Sequence, residues 1–70
     1  MIERNAILSG FGEGWRLRIL FQSYKKGYHL SIMETTEEIW NNLEALIPLI
    51  GKDVIIEITG YKVTKITENG

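Results

Sequence analysis

Residues 15–33 constrain the fold of this chain more than any other stretch. They read WRLRILFQSYKKGYHLSIM, and in the first half Trp15, Leu17, Ile19 and Phe21 alternate with Arg16, Arg18, Leu20 and Gln22. In the second half Tyr28, Leu30 and Ile32 alternate with His29, Ser31 and Met33. Period-two alternation marks half-buried strands, so the stretch is expected to fold as a long antiparallel hairpin with one face in a core and the other in water. Residues directly opposed in such a ladder project to the same side. Pairing Phe21 with Leu30 and Ile19 with Ile32 keeps the apolar sets together, and it sets Arg18 against Met33 and Gln22 against His29. Tyr24, Lys25, Lys26 and Gly27 then form the connection. A three-residue loop with a bulge at Gly27 is set aside, because it would move Phe21 opposite Ser31.

Before the hairpin, residues 3–9 offer a short strand in which Ala6 and Leu8, or Ile7, face inward. The glycines at 10, 12 and 14 precede a strand rather than a helix, and no Gly-Lys-Ser/Thr follows them, so they read as a hairpin connection and not a phosphate loop. After it, Thr35 followed three residues later by Glu38 forms a capping box for a helix over about 36–47. Ile39, Trp40, Leu43, Leu46 and Ile47 fall on one side of that helix, with Trp40 as a core residue, and Pro48 ends it. A strand at 53–58 turns inward Val54, Ile56 and Ile58. A two-residue turn at Thr59-Gly60 leads to a last strand at 61–67, opposing Ile58 to Tyr61, Ile56 to Val63 and Glu57 to Lys62.

The order β-β-β-α-β-β resembles that of the five-stranded Greek-key barrel called the OB-fold, in which a helix plugs the barrel between the third and fourth strands. A curved antiparallel sheet covered by one amphipathic helix satisfies the same order. Either way the chain is an α+β, mainly antiparallel single domain over residues 1–70.

Seventy residues with no cysteine leave no disulfide framework and no thiol metal site, and a chain this short cannot enclose a large ligand. A ligand site would lie on an open surface or be shared between copies, which favours a homo-oligomer. The opening MIERNAILSG is charged and lacks an apolar run, so no signal peptide is expected, no segment reaches membrane-spanning length, and a cytoplasmic location follows. The single histidine, His29, has no partner for nucleophilic or metal chemistry, so neither enzyme activity nor a cofactor is expected.

Charge placement carries the functional expectation. The formal net charge is only -1, which disfavours long duplex DNA, yet the cations and acids are segregated. Residues 14–33 hold Arg16, Arg18, Lys25 and Lys26 and no acid, whereas residues 34–46 hold Glu34, Glu37, Glu38 and Glu44 and no base. Arg16, Arg18, Gln22 and His29 are expected on one face, Lys25 and Lys26 at its end, and Tyr24 or Tyr28 supplies a ring on which a base can stack. That combination suits an anionic ligand, a nucleotide or short single-stranded nucleic acid. The alternative is a protein-binding or inhibitory module acting through the same hairpin, with Leu20 and Met33 as apolar contacts and the acidic helix as a complementary surface.

Overall fold

A computed structural model describes residues 1–23 and 27–70. Five strands, β1 (Ile2–Phe11), β2 (Arg16–Ser23), β3 (Gly27–Thr35), β4 (Asp53–Thr59) and β5 (Lys62–Glu68), close into a barrel in the order β1-β2-β3-β5-β4. Every neighbouring pair is antiparallel except β3 and β5, which run parallel. The topology is the OB-like one, and the closed barrel replaces the open-sheet alternative. No helix among the described residues is long and apolar enough to cross a membrane.

Alternation builds the interior. Ala6 and Leu8 from β1, Leu17, Ile19 and Phe21 from β2, Val54 and Ile56 from β4, and Val63 from β5 are all buried. Leu46 plugs this core from the segment between β3 and β4, and Met33, Ile39, Leu43 and Leu49 pack against it.

Thr35 closes the barrel. It is the one buried polar residue among those described, with no exposed surface. Its N–H donates to the Trp15 carbonyl at 2.8 Å. Its hydroxyl lies 3.0 Å from the Thr36 carbonyl and 3.4 Å from that of Trp15. β3 meets β5 only through Glu34 opposite Lys62 and Thr35 opposite Val63, supported by the Thr36 N–H donating to the Val63 carbonyl at 3.3 Å. The start of β2, the end of β3, the start of β5 and the helix entry therefore meet at one residue. Trp15 is drawn out of the strand by this junction: it takes a left-handed φ of 63°, rare for a residue with a side chain, and is partly exposed rather than facing the core.

The hairpin register corrects the expectation by one residue. Phe21 opposes His29, Ile19 opposes Ser31, Leu17 opposes Met33, Arg18 opposes Ile32 and Gln22 opposes Tyr28. Ser23 opposes Gly27, so Gly27 belongs to β3, where its φ of +78° suits a residue with no Cβ. The cause is parity along β3. Burying Thr35 sends Met33, Ser31 and His29 to the inner side and Glu34, Ile32, Leu30 and Tyr28 to the outer. The expected register would have turned Glu34 inward with the apolar set. Burying an unpaired carboxylate costs several kilocalories per mole or more, far above leaving aliphatic side chains wet.

The connection between β3 and β4 differs too. Thr36, not Thr35, is the N-cap, its hydroxyl accepting from the Ile39 N–H at 3.4 Å. The α-helix α1 spans only Glu37–Asn41 and is followed by a 3-10 helix over Leu43–Leu49 that contains Pro48. With three residues per turn, Leu43, Leu46 and Leu49 stack on one side, which an α-helix would not achieve. Ile47 is consequently exposed and Trp40 only half-buried, outside the core cluster.

At the other hairpin Thr59 opposes Lys62, so the two turn residues are Gly60, with φ +64°, and Tyr61, which is 91% exposed instead of facing Ile58. An irregularity between Glu57 and Ile58 shifts the ladder, and Glu57 meets Lys65 at 3.9 Å rather than Lys62.

Replacing Thr35 with Val keeps its volume and removes the hydroxyl donor at the seam. The expected cost is about 0.5–1.5 kcal/mol, the net worth of one hydrogen bond, because both carbonyls keep a backbone donor, the Thr35 N–H for Trp15 and the Trp40 N–H for Thr36. Urea unfolding followed by tryptophan fluorescence measures it, and a midpoint equal to that of the parent chain would remove Thr35 from this role.

Candidate functional site

The outer face of β2 and β3 is built in four rungs. From one end to the other, Gln22 stands beside Tyr28, Leu20 beside Leu30, Arg18 beside Ile32 and Arg16 beside Glu34. β1 extends the second rung with Ile7 opposite Leu20, and β5 extends the last with Lys62 opposite Glu34. Parity alone assembles this surface, since every second residue of a strand projects to the same side.

Arg16 and Arg18 are exposed on it. The only ion pairs within 4.0 Å among the described residues are Lys52 with Glu68 and Lys65 with Glu57, so neither arginine is engaged by a carboxylate. Arg16 makes a long bond, 3.4 Å, from its guanidinium to the Glu13 carbonyl. The Arg18 stem crosses the outer surface of β1 at Gly10, where a Cβ would lie 4.0 Å from Arg18 Cδ. A glycine there gives the arginine a bed for its methylenes while the charged head stays in water.

Three large apolar side chains share this surface. Tyr28, Leu30 and Ile32 are 50%, 45% and 58% exposed. Leu20 and Ile7 beside them are half-buried. At the Arg16 end, Lys62 Nζ stands 6.0 Å from the Trp15 ring, placing an aromatic plane and a further cation at the rim.

Of the residues singled out in the sequence, Arg16, Arg18, Gln22 and Leu20 come together here. His29 does not: the register puts it on the other side of β3, its ring 6.0 Å from that of Phe21 and tilted by 37°. There the Arg4 guanidinium covers the same Phe21 ring at 4.1 Å, a small cation–aromatic cluster at the mouth of the barrel. Met33 also leaves the outer face and packs on the core. Tyr24, Lys25 and Lys26 lie outside the described residues. Leu30 and Ile32 are the members that sequence reasoning missed, and the signal was present: Glu34 shares their parity and cannot be buried alone.

An open groove of about 440 Å³ lies elsewhere, between the helical connection and β5, with Glu38, Asn42 and Lys65 among its polar walls and Leu46 and Ile66 at its apolar side. No group of three or more potential metal-ligating side chains occurs among the described residues. With this geometry in hand, comparison with known proteins adds no relative: the chain matches no family model, no curated protein and no solved structure.

Proposed function

We propose that this chain is a non-enzymatic binding module whose outer β2–β3 face takes a nucleotide or a short single-stranded nucleic acid. The observation that carries the reading is two arginines on one strand face, unengaged by carboxylates, in line with an exposed tyrosine ring. Arg16 and Arg18 are two residues apart on a strand, hence about 6.8 Å apart, a spacing that lets each meet a different phosphate of an extended strand. Tyr28 offers a stacking plane, Gln22 beside it offers donors and acceptors for a base edge, and Leu20, Leu30 and Ile32 form an apolar floor for sugar and base. In OB-type barrels this face and its flanking loops are a common binding surface, a likeness of fold only. The net charge of -1 supports a compact ligand over long duplex DNA.

A second reading has its own support. Leu20, Leu30, Ile32 and Ile7 form a contiguous apolar patch rimmed by arginines and a tyrosine, the composition of a protein interface. In that reading the chain is an interaction or inhibitory module, with Ile32 taking the place that Met33 held in the sequence-based expectation.

The two readings diverge in salt. Binding of a fluorescein-labelled oligothymidylate, followed by anisotropy, is expected to weaken steeply from low to physiological salt, and Arg16→Ala with Arg18→Ala to abolish it. Thermal stability of that double variant should stay within about 0.5 kcal/mol of the parent, as for most surface changes. Undiminished binding by the double variant would remove the nucleic-acid reading. A protein complex, by contrast, should tolerate salt and be disrupted by Ile32→Glu, an outcome readable by pull-down of an identified partner at two ionic strengths.

A further inference from the structure

The free edge of β3 points to a second function of this strand. Residues 27–33 pair with β2 on one side only, because β3 touches β5 solely at Glu34 and Thr35. No backbone bond from residues 27–33 to a loop, helix or other strand supplements that ladder among the described residues. In a ladder with one partner, every second residue presents its N–H and C=O to the open side. Seven residues span about 23 Å of such edge.

Sheet proteins ordinarily guard an edge with lysine, proline, a bulge or a covering element. Among the described residues, 27–33 carry no lysine, no proline and no bulge. Gly27, Tyr28, His29, Leu30, Ser31, Ile32 and Met33 include no proline and no acidic or strongly basic residue, and the ladder to β2 runs without irregularity. The corresponding edge of β5 is different: Thr64, Lys65 and Ile66 face the helical connection across the groove, and Lys65 and Glu68 carry charge.

We propose that residues 27–33 pair antiparallel with the same residues of a second copy of this chain, across a two-fold axis at Leu30. That register uses the full segment. On the outer side it sets Leu30 against its own symmetry mate and each Tyr28 against an Ile32, an aromatic and β-branched pair of the kind that favours strand association. On the inner side it sets His29 against Ser31, with no like charges opposed. Beyond Met33 the open side of β3 is taken by Lys62 opposite Glu34, so the intermolecular ladder ends with Gly27 opposite Met33. The product is one four-stranded outer surface, β2-β3 of one copy continued by β3-β2 of the other, with one Arg16–Arg18 pair toward each end. The inference stands on the backbone edge and goes beyond the ligand reading.

Sedimentation velocity on the full chain, without ligand, tests it. The parent is expected to sediment as a dimer at submillimolar concentration. Leu30→Lys and Leu30→Glu, each checked for an unchanged circular dichroism melt, are expected to be monomers that re-form the dimer when mixed in equal amounts. Hydrogen exchange on the parent should show amides in residues 27–33 slowing as concentration rises, a readout that needs no variant. A parent that stays monomeric, a dimer that both variants retain, a mixture that fails to re-associate, or amides indifferent to concentration would each overturn the proposal.

Discussion

The parallel contact between β3 and β5 is the constraint on which the rest of this barrel depends. Two residue pairs make it, and a closed sheet has no other way to join its third and fifth strands. Thr35 can serve there because it is small, β-branched and able to satisfy its own hydroxyl against the carbonyls of Trp15 and Thr36 while fully buried. A larger polar residue would leave unmatched groups, and an aliphatic one would leave those carbonyls with fewer donors. One short seam thus sets where β2 begins, where β3 ends and where the helical connection starts.

Parity then propagates from the seam. With Thr35 inside, Glu34 and each second residue before it must be outside, and the outer surface acquires Ile32, Leu30 and Tyr28 alongside Arg16 and Arg18. The protein accepts three wet apolar side chains rather than one dry carboxylate, because the penalties differ severalfold. The same seam, being short, leaves most of β3 with a single neighbour. An apolar patch beside the arginines and an unguarded strand edge are therefore two results of one closure.

Much of this was legible in the residues. The alternation of Leu17, Ile19 and Phe21 with Arg16, Arg18 and Leu20 assigns β2 its inner and outer faces without ambiguity, because charges mark one parity and large aliphatics the other. β3 is harder: Tyr28, Leu30 and Ile32 hold one parity and Met33 the other, so hydrophobicity points the wrong way and only the carboxylate of Glu34 and the hydroxyl of Thr35 point the right way. The helical connection misled for a related reason. Ile39, Leu43, Leu46 and Ile47 satisfy an α-helical period, yet Leu43, Leu46 and Leu49 satisfy a period of three, and the core needed the latter. Across β4 and β5, Gly60 is legible as a turn residue, but the turn lies one place later, at Gly60 and Tyr61, and the ladder shifts again between Glu57 and Ile58.

By itself the sequence determined the element order, the inward faces of β2 and β4, the absence of thiol chemistry and the exposure of Arg16 and Arg18. These follow from local patterning and from the cost of burying charge, which need no knowledge of distant contacts. Only the tertiary structure decided the register of β3, the departure of His29 and Met33 from the basic face, and which strand edge lies open. Those depend on how the barrel closes at Thr35, a contact between segments far apart in the chain that no local period encodes.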